Sequence, residues 1–291
     1  MIFADDLSRP EGPTLLPDGS WLVVEMGEDR GCVTHISADG KIKRVIAKTG
    51  RPNGLALDKD GIIWVAESIN PPSLLRLTMD GQAEVFMTAC KDEPFLFPND
   101  LAFGPDGALY MTDSGIPYPE WRRQRADYKN AQTDGRVYRI DLKSKTATKL
   151  DSGLRLTNGI AFGPDNNLYV NETITGNVLR YRWEGGAITP KREMFANVLD
   201  PAGPEMFKGP DGMAFGRNGR LYVAVLGQGD VTVLSPDGEV VERLPLEGKL
   251  PTNVAFGPPG TKRIYVTEQD VGRMEVLEVD TDGLPLHGGE G

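Results

Sequence analysis

One phrase, approximately Pro-Asn-Gly-apolar-Ala-Phe-Gly-Pro-Asp-Gly-x-Leu-Tyr-Val, recurs along nearly the whole of this 291-residue chain and constrains its fold more than any other feature. The copies are EGPTLLPDGSWLVV from Glu11, PNGLALDKDGIIWVAE from Pro52, PNDLAFGPDGALYMTD from Pro98, TNGIAFGPDNNLYVNE from Thr157, PDGMAFGRNGRLYVAV from Pro210 and TNVAFGPPGTKRIYVTE from Thr252. With Glu11, Asn53, Asn99, Asn158, Asp211 and Asn253 as markers, they are spaced by 42, 46, 59, 53 and 42 residues. Periods of about 40 to 50 residues belong to propeller blades or helical-pair arrays. The choice falls on strands. In residues 61–67 (GIIWVAE) and 220–225 (RLYVAV), β-branched and aromatic side chains crowd into short runs bounded by Gly, Pro, Asp and Asn. Each copy adds a third run (74–77, 137–140, 178–181, 231–234, 274–277), usually a turn such as Asp80-Gly81, and a fourth such as 83–87 or 240–244. The 35 Gly and 22 Pro leave little room for long helices. An all-β, six-bladed β-propeller is expected, with four antiparallel strands per blade, in one domain over residues 1–291. Blades should begin near residues 11, 52, 98, 157, 210 and 252, each covering its faces with its neighbours around a ring. Residues 1–5 either supply the outer strand of the last blade or fray.

The net charge of −10, from 42 acidic and 32 basic residues, repels phosphate backbones and anionic lipid, so neither a nucleic acid nor a membrane is an expected partner. No run of 18 apolar residues occurs, and the opening MIFADDLSRPEG has two aspartates where an export signal needs a basic cluster and an apolar run. A cytoplasmic protein is expected. Cys32 and Cys90, neither in a CxxC pair, fit a reduced compartment; the acceptor pattern Asn171-Glu172-Thr173 is then read as chance. The oligomeric state is not legible.

Two series of Asx residues run through the repeats. Asp18, Asp60, Asp106 and Asn218, each followed by Gly between two apolar runs, read as hairpin turns joining the first and second strands. The markers form the second series, and all six carry side-chain oxygen. Turn chemistry accounts for an Asn-Gly or Asp-Gly step, but less well for Glu11, for Asn99 before Asp100, or for Asn253 before Val254. In a propeller these positions converge on the central channel. Carboxylate and amide oxygens without sulfur or imidazole suit a hard divalent cation, so a metal at the channel mouth is the better reading.

On Glu11-Gly12-Pro13, Pro98-Asn99-Asp100, Thr157-Asn158-Gly159 and Pro210-Asp211-Gly212-Met213, in this order, the chain resembles the regucalcin and gluconolactonase family, the senescence marker protein group. The resemblance covers essentially the whole chain. It implies a six-bladed propeller that hydrolyses a small-molecule sugar lactone with one divalent metal, calcium foremost, with magnesium, manganese, zinc or ferrous iron as alternatives. It implies metal ligation by Glu11, Asn158 and Asp211, with Asn99 a fourth ligand or a substrate contact, and a base role for Asp211 in water attack. Asn53 joins the substrate contacts. Residues 110–115 (YMTDSG) resemble the Thr-Asp-Pro segment of gluconolactonases, with Ser114 in place of Pro. Regucalcin-like members have Arg two residues before the Asn of the third motif; here that position is Phe97.

The third repeat carries an insertion, residues 116–134, rich in charge and holding the best helix candidate in the chain. It is either a lid over the channel mouth or a solvated loop; as a lid, Arg122, Arg123 and Arg125 would bind an anionic group of the substrate. His35 and His287 are badly placed for a histidine dyad, and no GxSxG, HExxH, GxGxxG or Walker sequence occurs. The acids closing the second strands (Glu25, Glu67, Asp113, Glu172, Glu268) either face the channel or solubilise strand ends, and Trp64, Trp121 and Trp183 read as packing or lid residues. Three readings compete: a lactonase, a non-catalytic metal-containing binding module, and a phosphoester or phosphofluoridate hydrolase on the same scaffold.

Overall fold

The computed structural model describes residues 1–203 and 206–288. Six four-stranded antiparallel sheets form the blades of a β-propeller, beside one two-residue ladder at 89–94. The innermost strands are Pro10–Leu15, Pro52–Leu57, Pro98–Phe103, Thr157–Phe162, Gly209–Phe215 and Pro251–Phe256. Each touches the next, and the last touches the first, so the ring is closed. In five blades the strands follow one another in chain order. In the sixth, Ile2–Ala4 from the opposite end of the chain is the outer strand, pairing with Arg273–Glu278.

Burial follows position within the blade. Second strands such as Trp21–Glu25, Ile63–Glu67 and Leu109–Asp113 are buried along their whole length because both faces meet a neighbouring blade, and so they read as unbroken apolar runs. Outer strands such as Lys43–Lys48 and Val240–Pro245 are mostly exposed and carry charges that blunt a free edge. Between the blades, the buried side chains of the described residues gather in six apolar clusters, each shared by two adjacent blades. At the closure Phe3 meets Tyr265 edge-on at 5.0 Å, and Trp21 lies 4.3 Å from Tyr265. The hairpin aspartates of the phrase stay on the scaffold: Asp106 Oδ2 accepts from Tyr110, while Asp18 caps its own turn through Ser20.

The acids that close the second strands are buried and do neither thing expected of them. Glu25 accepts the Ser8 N–H, Glu67 that of Arg51, Asp113 those of Leu96 and Phe97, Glu172 that of Arg155, and Glu268 that of Leu250, at 2.7 to 3.1 Å. Each clamps the backbone just before its own innermost strand, fixing where that strand starts. At the far end of the channel the C-terminal stretch crosses the ring: Leu284 N–H donates to Phe215 O at 2.8 Å, and His287 packs 5.8 Å from the Phe162 ring. No helix among the described residues is long and apolar enough to cross a membrane.

Candidate active site

Every innermost strand slips register against its second strand at or beside its marker residue. Such bulges re-aim side chains and are common next to functional sites. Gly54, Gly159 and Gly212, which follow three of the markers, have no positive φ; they are close-approach glycines. A Cβ on Gly159 would sit 2.3 Å from the Asp211 carbonyl oxygen, and one on Gly54 would sit 2.6 Å from the Asp100 Cα. The innermost strands thus approach backbone to backbone, which brings markers from distant blades onto one axis.

A cavity of about 310 Å³ opens there, at the small end of the range for small-molecule sites. Glu11, Asn53, Asn99, Asn158 and Asp211 line it, and each is buried. Asn253 lies beneath Glu11, donating from Nδ2 to Oε1 at 2.9 Å. Glu11 Oε2 is buried without a hydrogen-bond donor among the described residues.

The amide orientations are fixed by a chain of donors. Ser114 Oγ donates to Thr157 O at 2.9 Å and Thr173 Oγ1 to Pro210 O at 2.8 Å, so each hydroxyl has only acceptor capacity left. Asn99 Nδ2 donates to Ser114 Oγ at 2.9 Å, and Asn158 Nδ2 to Thr173 Oγ1 at 3.2 Å. Both amide nitrogens are therefore directed to the wall, and both amide oxygens are left for the cavity.

A third carboxylate, unforeseen from the sequence, lies behind this floor. Asp100 is buried, accepting from Leu101 N–H at 2.9 Å and Ile160 N–H at 3.4 Å, and burial pushes its pKa up to about 6. Burial, reinforced by the charge of Asp100, drives Glu11 and Asp211 well above the ordinary carboxylate range, and Asp211 raises Glu11 further. Asn158, Arg51 and Arg125 oppose the shift at Asp211. Among the described residues no three His, Cys, Asp or Glu side chains converge as a ligand cluster, so a cation here would be shared between two carboxylates and amide oxygens. Crowded, desolvated carboxylates, an orphaned oxygen and all-oxygen donors fit a hard divalent ion.

The insertion roofs this floor. A helix at Tyr118–Gln124 and a 3₁₀ turn at Arg125–Asn130 pack through Trp121, Tyr118 and Tyr128 against Phe97, Leu156 and Phe207. Arg122 lines the cavity rim and pairs with Glu28, whereas Arg123 points to solvent, pairs with Glu120 and does not line the cavity. Arg125 lines the cavity, 5.1 Å from the Phe207 ring centre. Two further arginines line it, Arg9 and Arg51. Their signal in the sequence was register: each stands two residues before a marker, as Phe97 and Leu156 do.

Residues 70–270 match the family model for the SMP-30/Gluconolactonase/LRE-like region. The gluconolactonase of Zymomonas mobilis subsp. mobilis is 26% identical over 290 residues, covering 94% of this chain and 80% of that one. The diisopropyl-fluorophosphatase of Loligo vulgaris is 28% identical over 302 residues, covering 96% and 91%. A solved structure from Agrobacterium tumefaciens, a regucalcin described as a calcium-binding protein, superposes with a TM-score of 0.78 over 97% of this chain and 93% of that chain, at 22% identity.

Proposed function

The chain belongs to the SMP-30/gluconolactonase/LRE-like family, and from that premise we propose that it is a lactonase that opens a sugar lactone with one divalent cation, calcium foremost, at the channel mouth. The observation that carries the reading is the cavity floor: buried Glu11 and Asp211 with an orphaned carboxylate oxygen, beside two amide oxygens locked toward the same space. Glu11, Asp211, Asn99 and Asn158 would hold the cation. Asp100 has its oxygens on backbone N–H groups and contributes charge.

A divalent ion bound there supplies Lewis-acid polarisation of a lactone carbonyl and stabilises the charge that develops on its oxygen. Asp211 accepts the proton of the attacking water. Burial raises its basicity and a neighbouring cation lowers it again, which keeps the carboxylate ionised near neutral pH. Asn53 lies on the same floor to contact the sugar, and Trp121 and Phe207 exclude solvent from above. The pocket volume suits a single sugar ring.

The full-length likeness to the diisopropyl-fluorophosphatase favours a second reading, hydrolysis of a phosphorus–fluorine bond at the same floor. A pH-indicator assay on aldonolactones and on a phosphofluoridate, with and without chelator, separates the two. Lactone opening that is lost on chelation, restored by a divalent ion and reduced at least about a thousandfold in Asp211→Asn is the expected result. Full turnover after exhaustive cation removal would end the proposal.

A further inference from the structure

The cavity has two chemically different levels. Below are the oxygens of the markers; two residues before the markers of blades one to four, just ahead of the innermost strands, stand Arg9, Arg51, Phe97 and Leu156, with Arg125 added from the insertion. Cations thus occupy blades one and two, and apolar side chains face them from blades three and four.

Arg51 is the unusual member. It is buried, and its guanidinium lies 3.8 Å over the centre of the Tyr118 ring and 5.3 Å from that of Phe97. Its polar contacts are weak and neutral: Nη1 to Ser68 Oγ at 3.3 Å and Nη2 to Met26 Sδ at 3.4 Å, while Nε has no partner. The nearby carboxylate of Glu67 is spent on the backbone N–H groups of Arg51 and Ile69. Among the described residues Arg9 is held by Gln269 and Arg125 by the face of Phe207. Among the described residues none of the three arginines forms an ion pair, in a protein of net charge −10. Burying an unpaired guanidinium is unfavourable, and three converging cations repel one another. Such an arrangement persists where a ligand completes it.

We propose that Arg51, with Arg125 and Arg9, forms an anion subsite, and that the substrate is a sugar lactone bearing a carboxylate, sulfonate or phosphate at the end remote from the lactone carbonyl. The inference rests on the lactonase reading for the word lactone, and on the arginines alone for the charge. The Tyr118 ring covers one side of the Arg51 plane, while Nε has no partner and Nη1 and Nη2 hold only weak neutral ones, so its N–H donors are not committed to any charge and can turn to an anionic group in the cavity. A rival role for Arg51, as counter-charge to Asp211 alone, would weaken all substrates alike.

The test compares a neutral aldonolactone with the monolactone of an aldaric acid and with 6-phosphorylated and 6-sulfonated aldonolactones, in wild type, Arg51→Gln, Arg125→Gln and Arg123→Gln. Wild type should prefer at least one anionic class by tenfold or more in kcat/KM, and the class preferred identifies the group. Arg51→Gln should reduce that preference about tenfold to a hundredfold, mainly through KM, as loss of a charge-assisted hydrogen bond predicts. Arg125→Gln should reduce it less, and Arg123→Gln should leave it intact. Equal kcat/KM for neutral and anionic lactones in wild type overturns the proposal while leaving the lactonase reading standing, as does an equal loss on both in Arg51→Gln. If no lactone is opened, calorimetry with the open-chain aldarate, phosphorylated and sulfonated acids decides the subsite independently. Binding that weakens with salt and disappears in Arg51→Gln supports it, and absence of binding overturns it. Should Arg51→Gln fail to fold, the same criteria apply to Arg125→Gln, whose side chain lies in the insertion.

Discussion

Replacing Asp100 by Asn should separate the stability of this molecule from its function. The carboxyl is buried behind Glu11 and Asp211 and its pKa is pushed up to about 6 from an ordinary 3.8. A carboxyl that binds its proton more tightly folded than unfolded favours the fold at low pH. That contribution is full below the unfolded value and is lost as pH rises through the folded one. A shift of about two units corresponds to about 3 kcal/mol, lost between roughly pH 4 and pH 7 in the cation-free protein. Asp100→Asn removes the charge and keeps an oxygen for the Leu101 N–H at Oδ1; the long contact of Oδ2 with the Ile160 N–H is given up, as it also is when the wild-type carboxyl is protonated there. Urea unfolding in chelator should therefore find the variant about 3 kcal/mol more stable than wild type at pH 7.5, and equal to it near pH 4. A saturating divalent cation should shrink this gain by about 1.4 kcal/mol for each tenfold loss of cation affinity in the variant. Removing a unit charge behind Glu11 and Asp211 should weaken cation binding by at least about tenfold, readable by calorimetry. A gain that does not vary with pH, or a loss at every pH, would refute the argument that crowding of buried carboxylates is what the cation relieves.

Gly159→Ala places a Cβ 2.3 Å from the Asp211 carbonyl and 2.9 Å from Gly212 Cα, both backbone. It should cost about 1–3 kcal/mol in urea unfolding and abolish activity beyond that loss, because it displaces Asp211. Ser114→Ala removes the acceptor that holds the Asn99 amide and the donor to Thr157 O; a destabilisation of about 1–3 kcal/mol together with weaker cation binding is expected by the same measurements. Phe3→Ala strips the closing strand of its contacts with Trp21 and Tyr265 and should lower stability by about 3 kcal/mol, seen as a lower thermal midpoint.

The blades were legible because each repeat writes the same physical instruction: a buried second strand must be apolar on both faces, and an outer strand must be charged. The site markers were legible for a related reason, since a ring converts equal register into proximity. Their glycines were less so. Gly54, Gly159 and Gly212 look like turn residues in the one-dimensional pattern, yet their need comes from the next blade, some 40 to 50 residues on: its backbone for Gly54 and Gly159, the Asn253 side chain for Gly212. The strand-end acids misled in the same way, because their partners are backbone N–H groups that no sequence pattern displays. Asp100 was hidden by standing where four other copies have glycine. Arg9 and Arg51 were hidden because the same register position holds Phe97 and Leu156 in the third and fourth repeats, so no charge recurs there. Each omission concerns a charge whose meaning depends on burial, and burial is set by tertiary neighbours.

The seam of the ring shows how site and scaffold depend on each other. Glu11 belongs to blade one and Asp211 to blade five, and Asn253 of the blade between them donates to Glu11. That intervening blade is the one assembled from both ends of the chain. A cation held by Glu11 and Asp211 therefore spans the closure that Ile2–Ala4 makes from outside. Without an ion, the repulsion among Glu11, Asp100 and Asp211 acts across the same seam. The apolar clusters on either side of blade six, with Trp21, Tyr265 and Val254 among their members, oppose that repulsion with nonpolar burial that does not depend on pH or ions. The scaffold can thus hold an unfavourable set of charges in place until a ligand of opposite charge makes it favourable, which is the preorganisation that electrostatic catalysis requires.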